Sequence, residues 1–209
     1  MKLTTKHSKL ILVCLAAIAT IAPAMAQTTA TNKGVAVALP WVYSKGNDTA
    51  RTLAVTSVEE IARKAQYSSI PGDVAQAAWE ASKLPTPSYG HLPTRASLKA
   101  FGKAVKASKV LYGSISWHTR SIWVNLGPKT ISTATIDAYV FDVASGKVVY
   151  QAKGVKGRSD EKSNGYKIAA DILITPLVTA VSGGPATPQE QRAVQIGLAL
   201  AYQAWTKRK

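Results

Sequence analysis

The spacing of apolar residues changes near residue 109. Before that point, short apolar runs alternate with stretches in which apolar residues recur every three or four positions, which predicts strands and helices in turn. After it, apolar and β-branched residues recur at every second position, which predicts consecutive antiparallel strands. The chain is therefore predicted to have an α/β (α+β) fold. We expect a mixed sheet of about five to six strands with an antiparallel C-terminal meander, covered by helices.

The first half contains the predicted parallel strands and their helices. Residues 35–40 form an apolar run closed by Pro40, which predicts a buried central strand. Residues 47–66 predict a helix, with Asp48 and a capping box at Thr56 as the two candidate starts. A short strand is expected at 67–70, followed by a helix at 73–82 with Val74, Ala78 and Trp79 as the candidates for its inward side. A proline-rich loop at 84–93 and a helix capped by Thr94 come next.

The second half predicts a meander followed by two helices. The strands are expected at 110–117, 122–126, 130–142 and 147–155, with a turn containing Gly146 before the last one and residues 156–162 outside the sheet. One helix is expected at 164–181. The final helix starts with Thr187 as its cap, Pro188 as its first residue and Glu190 completing a capping box.

The amino terminus has the features of a cleavable export signal. Residues 1–26 combine three lysines without an acid, an apolar run and an A-x-A site ending at Ala26. A membrane anchor is the alternative, but roughly 20 apolar residues are needed to cross a bilayer and this run is shorter. Cys14 lies within the run after Val13, which does not fit a lipid-attachment site. We expect residues 27–33 to be a disordered leader, residues 34–209 to be a single α/β domain, and the product to be periplasmic or extracellular.

The chain is strongly basic, with 26 lysines and arginines, 11 acidic residues and a formal charge of +15. Such a net charge favours binding to polyanions, because it attracts them over a long range in a way that depends on salt. For an exported protein this predicts an anionic envelope polymer or membrane surface as a possible partner, and no nucleic acid. The candidate anion-binding residues are Lys99, Lys103, Lys106, Lys207, Arg208 and Lys209. The alternative is a generally basic surface without a specific site.

Four stretches resemble known envelope domains. They are the strand at 35–40, the strand at 67–71 with its following helix, residues 107–115 with the sequence ASKVLYGSI, and residues 138–149 with the sequence AYVFDVASGKVV. Together they resemble the periplasmic α/β domain of the CsgG family and the amino-terminal domain of TolB. The resemblance implies a non-enzymatic envelope domain that serves in secretion, assembly or regulation of surface machinery. The sequence shows no long alternating hairpin of the kind that a CsgG-type pore uses.

The sequence contains no recognisable catalytic constellation. Beyond residue 26, the two histidines, His91 and His118, have no metal-ligand spacing, and no nucleotide-binding or nucleophile motif is present. Asp137 and Asp142 are an odd number of residues apart on a predicted strand, so they are expected to face opposite sides. We therefore predict no enzyme activity, no cofactor and no metal, although a carboxylate-dependent hydrolase is a remaining alternative.

The most unusual local cluster lies at 117–123, between two predicted strands. Trp117, His118, Arg120 and Trp123 are predicted to form an aromatic, cationic tip that binds a protein partner or stacks on sugar rings. The alternative is that the two tryptophans are a cross-strand pair and the two cations are merely solvated. The leading functional hypothesis is an exported accessory or adaptor protein that binds an envelope protein; a charge-driven module for an anionic polymer or membrane is the second.

Overall fold

Six strands of the described chain form one mixed sheet in the order β3-β1-β4-β5-β6, with β2 paired to β4. The computed structural model describes residues 32–39, 41–44, 48–124, 127–161 and 187–207, all within the compact unit Thr31–Lys209. A second unit, Met1–Ala30, lies outside the described residues. So do the predicted signal peptide, most of the predicted leader and the predicted helix at 164–181.

In chain order, the described elements are β1 (Val35–Ala38), β2 (Val42–Tyr43), α1 (Asp48–Lys64), β3 (Ser68–Ile70), α2 (Gly72–Ala81), α3 (Arg95–Ala104), β4 (Lys109–Val124), β5 (Gly127–Asp142), β6 (Lys147–Arg158) and α4 (Pro188–Thr206). β1 pairs in parallel with β3 and β4, while β4, β5 and β6 form an antiparallel meander. The predicted mixed α/β fold is confirmed.

The sheet has a hydrophobic core on each face. α1 and α4 cover the first face, where Leu53 and Leu198 pack with Leu111 of β4. α2 and α3 cover the second face, where Phe101 packs with Val110. β1 is the central strand of the parallel part, and its Ala36 and Val37 are fully buried on opposite faces. This explains why its sequence is continuously apolar rather than alternating.

α4 approaches β6 so closely that both the helix and the strand have a glycine at the contact. A Cβ atom on Gly157 of β6 would lie 2.2 Å from the backbone nitrogen of Gly197 in α4. The helix begins as predicted: Thr187 Oγ1 accepts from Glu190 N at 3.3 Å, and Glu190 Oε2 accepts from Thr187 N at 2.9 Å. This reciprocal capping box fixes the end of α4 that lies over the meander.

The structure decides between the two candidate starts of α1 and corrects the predicted inward face of α2. α1 begins at Asp48, so Thr56 is an interior residue whose hydroxyl donates to Thr52 O at 3.0 Å. The earlier start lets Leu53 contribute to the core. In α2, Val74 is 50% exposed, whereas its neighbour Ala75 is buried together with Trp79. One residue rotates a helical position by about 100°, so a small error in phase exchanges the buried and exposed sides.

Two predictions about the meander are also wrong. β4 runs without interruption through residues 117–123, so that segment is not a connection between strands. β4 and β5 consequently form the long hairpin that the sequence pattern did not predict. β6 continues to Arg158, so residues 156–158 belong to the sheet. None of the helices in the described ranges is long and apolar enough to cross a membrane.

Candidate functional site

The β4–β5 hairpin extends beyond the strands on either side of it. β4 and β5 pair from Lys109 with Asp142 to Val124 with Gly127. In the described chain, the pairing of β2 with β4 ends at Ile115, and the pairing of β6 with β5 ends at Thr133. Residues 119–124 and 127–132 thus form a two-stranded ribbon, here called the projecting hairpin, which is about 20 Å long at the usual rise per residue.

The structure separates the predicted aromatic and cationic residues. Side chains alternate along a strand, and Trp117 and Trp123 lie on the first face while His118 and Arg120 lie on the second. Trp117 is opposite Ala134 and Trp123 is opposite Pro128, so the tryptophans are not a cross-strand pair. The predicted cross-strand tryptophan pair is therefore wrong, whereas His118 and Arg120 are exposed as the same interpretation expected. The strand also does not bring the aromatic and cationic side chains of the predicted tip to one face.

The two tryptophans also differ in burial. Trp117 is half-buried and packs against the core of the first face. Trp123 is 83% exposed, one residue before the end of β4, and Val124 beside it is also exposed. An exposed tryptophan at the end of a ribbon offers a large apolar surface to a binding partner without any role in the core. Trp123 is the residue of the predicted tip that best fits a binding function.

A buried hydrogen-bond network holds the base of the projecting hairpin. Thr119 Oγ1 of β4 donates to Glu190 Oε1 of α4 at 2.9 Å and lies 2.8 Å from the hydroxyl oxygen of Ser132 in β5. Ser132 is fully buried, and its backbone N–H donates to Ser159 Oγ at 3.0 Å. The capping glutamate of α4 thus connects the helix to the hairpin. The sequence predicted the cap but gave no sign of this contact, because it joins residues 71 positions apart.

Cationic side chains line the second face of the projecting hairpin and the strand beside it. His118 aligns with Thr133 and then with Arg158 of β6, and the next row contains Ser116, Thr135 and Lys156. His118, Arg120 and Lys156 are exposed. Arg158 forms an ion pair with Asp160, with a 3.0 Å distance from Nη2 to Oδ2. This face presents hydroxyl and cationic groups rather than the tryptophans.

The other predicted anion-binding residues do not join this surface into one site. Lys99, Lys103 and Lys106 are exposed on or just after α3, which covers the second face. Lys207 is exposed at the end of α4, which covers the first face. Arg208 and Lys209 lie outside the described residues. The two described groups of lysines are therefore on opposite sides of the sheet.

The two candidate carboxylates have structural roles. Asp142 ends β5, where Lys109 Nζ donates to its Oδ2 and Ser145 N donates to its Oδ1 at 2.7 Å. Burial alone would raise the pKa of Asp142, but the hydrogen bonds from Lys109 and Ser145 hold it at about 2. Asp137 Oδ1 accepts from Gly154 N at 2.8 Å across a bulge in β6. As predicted, the two side chains are on opposite faces and do not form a pair.

Comparison with known proteins shows only remote similarity. No family model matches the chain, and no curated protein matches it. Among solved structures, the chain is similar to the lipoprotein GNA1162 from Neisseria meningitidis (15% identity, 63% of this chain, 85% of the other, TM-score 0.44). It is also similar to the C-terminal domain of LpoB from Salmonella enterica (17% identity, 63% and 85%, TM-score 0.39) and to PelC, a dodecamer from Paraburkholderia phytofirmans (13% identity, 84% and 89%, TM-score 0.41). The resemblance to the CsgG and TolB families stays a prediction.

Proposed function

We propose that this protein is a non-enzymatic, exported accessory or adaptor protein that binds an envelope protein through the projecting hairpin. The observation that carries the proposal is the exposed Trp123 near the end of a ribbon that extends past its neighbouring strands. Tryptophan is enriched among the residues that contribute most of the binding energy at protein interfaces. The predicted export signal, from which we expect an envelope location, is the sequence-based part of the proposal.

The edges of the ribbon support the same proposal. Among the described residues, no strand other than β5 pairs with β4 beyond Ile115. The outer edge of β4 therefore presents backbone N–H and C=O groups to which a partner strand can add. A partner that extends this edge and packs against Trp123 gains both backbone hydrogen bonds and a side-chain anchor.

Site-specific photo-crosslinking tests the proposal. A benzophenone amino acid replaces Trp123 in one variant and Tyr89 in the matched control, because Tyr89 is also an exposed aromatic residue but lies in the α2–α3 loop, at 51% exposure. We expect a discrete adduct with one envelope protein from position 123 and none from position 89 in cells of the source organism.

Affinity measurements with the purified protein then show whether the crosslink reflects specific binding. The partner identified at position 123 should bind the purified wild-type protein, and Trp123→Ala should weaken this binding by about tenfold or more, as expected for a hot spot. Tyr89→Ala should leave the affinity unchanged. Equal binding by Trp123→Ala and the wild type contradicts the role of the hairpin.

A second candidate function is a module that binds an anionic envelope polymer or membrane surface by charge. The placement of cations favours it: Lys99, Lys103 and Lys106 are exposed along α3, which contains no acidic residue, and His118 and Arg120 lie on the same side of the sheet. Co-sedimentation with anionic and neutral vesicles, and with anionic wall polymers, at low and high salt tests this function.

The charge-driven function makes a distinct prediction for variants. Changing Lys99, Lys103 and Lys106 to glutamine should reduce sedimentation with anionic vesicles or polymers at low salt, while Trp123→Ala should not. High salt should abolish the binding of the wild type. Binding that is independent of salt, or equal for the lysine variant and the wild type, rules out this candidate.

A further inference from the structure

The backbone of β4 points alternate residues towards β5 and away from it. The carbonyl oxygens of Leu111 and Ile115 accept from backbone N–H groups on the side of β1 and β2, at 3.0 and 3.1 Å, so the odd-numbered residues of β4 point away from β5. The pairing of β4 with β5 keeps one register over its whole length. The backbone groups of Thr119, Ser121 and Trp123 therefore also point outward. In the described chain nothing bonds to these outward groups.

The edge of β5 in the same ribbon is far less open. Its outward-pointing residues are those aligned with the outward-pointing residues of β4, namely Ser132, Thr130 and Pro128. Ser132 N donates to Ser159 Oγ at 3.0 Å, and Ser132 O accepts from Ser159 N at 2.9 Å. Pro128 has no N–H group. A strand that adds to the ribbon therefore finds a continuous row of donors and acceptors only on β4.

The side chains of the ribbon add a preference for negative charge. Residues 114–136 contain no acidic residue. On the second face, Arg120 is aligned with Ile131, so it lies diagonally across from Lys129 of β5. His118 points to the same face, and all three cations are exposed. A strand added to β4 continues the alternation of side chains, so half of its side chains lie next to these cations, where acidic groups are favoured.

The first face of the same edge favours apolar side chains. Trp123 is 83% exposed, and Ser121 beside it is also exposed. Glu190 contacts the hairpin on this face, where its two carboxylate oxygens accept from Thr119 Oγ1 and Thr187 N. Its negative charge opposes acidic side chains on the first face, while the indole of Trp123 offers apolar surface. The two faces of the edge thus select different residues of an added strand.

We propose that the outer edge of β4 binds an extended segment of the partner in which acidic and apolar residues alternate. The segment adds as a strand to Thr119, Ser121 and Trp123, with acidic side chains beside Arg120 and apolar side chains beside Trp123. This inference rests on the proposed adaptor function and names the part of the partner that the hairpin recognises. A second copy of this chain is a poorer occupant, because its own Arg120 and His118 would lie on the same cationic face.

Amide hydrogen exchange tests for strand addition. The probe is a peptide of about eight residues in which glutamate and valine alternate, added to the 15N-labelled protein near neutral pH and at low ionic strength, where the glutamates are ionised. We expect saturable slowing of exchange at the outward N–H groups of Thr119, Ser121 and Trp123. The N–H groups of Arg120 and Ile122 point towards β5, so the peptide should leave their exchange unchanged. Contact through side chains alone does not produce this alternation.

Charge variants test the preference for acidic residues. A peptide with lysine in place of each glutamate should bind about tenfold more weakly or worse. Arg120→Glu should weaken binding of the glutamate peptide by about tenfold and strengthen binding of the lysine peptide. Lys103→Glu changes the net charge equally but lies on α3, so it is the matched control and should change either affinity by less than about twofold.

A proline variant tests the backbone contact. Ser121→Pro removes one outward N–H group without removing a hydrogen bond to β5, so it should abolish the slowing of exchange by the peptide. Unchanged exchange at Arg120 and Ile122 in the free variant identifies an intact hairpin. If this variant disturbs the hairpin, Arg120→Glu and its control still decide the proposal.

The proposal fails on any of three results. The first is slowing at consecutive residues of 119–123, or none, with the glutamate peptide. The second is equal binding of the glutamate and lysine peptides. The third is the same slowing at high protein concentration without peptide, because the occupant would then be a second copy. A discrete crosslink from position 123 together with any of these results keeps the adaptor function and rejects the alternating acidic strand. Absence of the crosslink rejects the adaptor function, whatever the peptide does.

Discussion

Asp142 shows how one side chain stabilises the turn between β5 and β6. It accepts from Lys109, which lies on the strand next to β5, and from both the backbone and the hydroxyl of Ser145 in the turn. Its side chain is only 16% exposed, so water screens the pair with Lys109 weakly. The pKa of about 2 means that folding favours the ionised form over the protonated one.

This lowered pKa predicts a loss of stability in acid. Because the pKa of Asp142 is lower in the folded chain than its ordinary value of 3.8, its contribution is fully present above about pH 5 and disappears as the pH falls through the folded value of about 2. The difference corresponds to about 2 kcal/mol. Asp142→Asn should therefore lower the free energy of unfolding by about 2 kcal/mol near neutral pH and by much less near pH 2.

Urea unfolding of both proteins at the two pH values measures this difference. Asp73→Asn is the control, since Asp73 is an exposed acid in the first turn of α2. A deficit of Asp142→Asn that stays constant with pH would show that the ionised carboxylate is not what stabilises the turn.

The β4–β5 hairpin was predicted well near the core and poorly towards its end. Alternation is visible from sequence only where one face is buried, as at residues 134–142. Between Trp117 and Trp123 both faces are mostly polar: His118, Arg120 and Ser121 are exposed, so period-two hydrophobicity is lost. The same polar composition suits a connection, which is why the continuous strand could not be recognised. The pairing with β5 supplies the order that side-chain burial does not.

The difference in burial between Trp117 and Trp123 predicts a large effect on stability for one substitution and a small effect for the other. Trp117→Ala should lower the free energy of unfolding by about 2 kcal/mol or more, because Trp117 packs on the first core. Trp123→Ala should change it by about 0.5 kcal/mol or less, because its side chain is 83% exposed. Chemical denaturation of the two variants measures both values. Comparable losses would mean that Trp123 is structural, and its proposed binding role would then lose its basis.

At the scale of the molecule, the sequence predicted the fold class and the order of most described elements, because both depend on local periodicity. It did not predict the two-residue strand β2, and it predicted β4 as two strands. It also did not predict a small cavity at the ends of β1 and β3. Trp41, Arg51 and Trp79 are each unremarkable in their own segments and line one cavity only when α1 and α2 are on opposite faces of the sheet. Likewise, Gly157 and Gly197 look like ordinary glycines until α4 is placed on β6.

The contact between α4 and β6 provides a test of how the molecule is assembled. A Cβ on Gly157 would lie 2.2 Å from Gly197 N and 2.4 Å from Ala193 O, and both atoms belong to the backbone of α4. A backbone cannot turn aside as a side chain can, so Gly157→Ala has to move the helix away from the sheet. The movement disturbs the first core, including the stacking of Trp205 on Tyr67 at 5.5 Å. We expect a loss of about 3 kcal/mol or more in the free energy of unfolding.

Gly154→Ala is the matched substitution in the same strand. A Cβ at this position meets no atom within 4 Å, and only the positive φ of 64° opposes it, at a cost of about 1 kcal/mol. Denaturant unfolding monitored by tryptophan fluorescence should therefore rank the wild type above Gly154→Ala, and Gly154→Ala above Gly157→Ala. Equal losses in the two variants would mean that backbone conformation matters here and helix contact does not. The expected ranking instead makes the close approach of α4 the reason why β6, an edge strand of the described sheet, contains a glycine at its buried end.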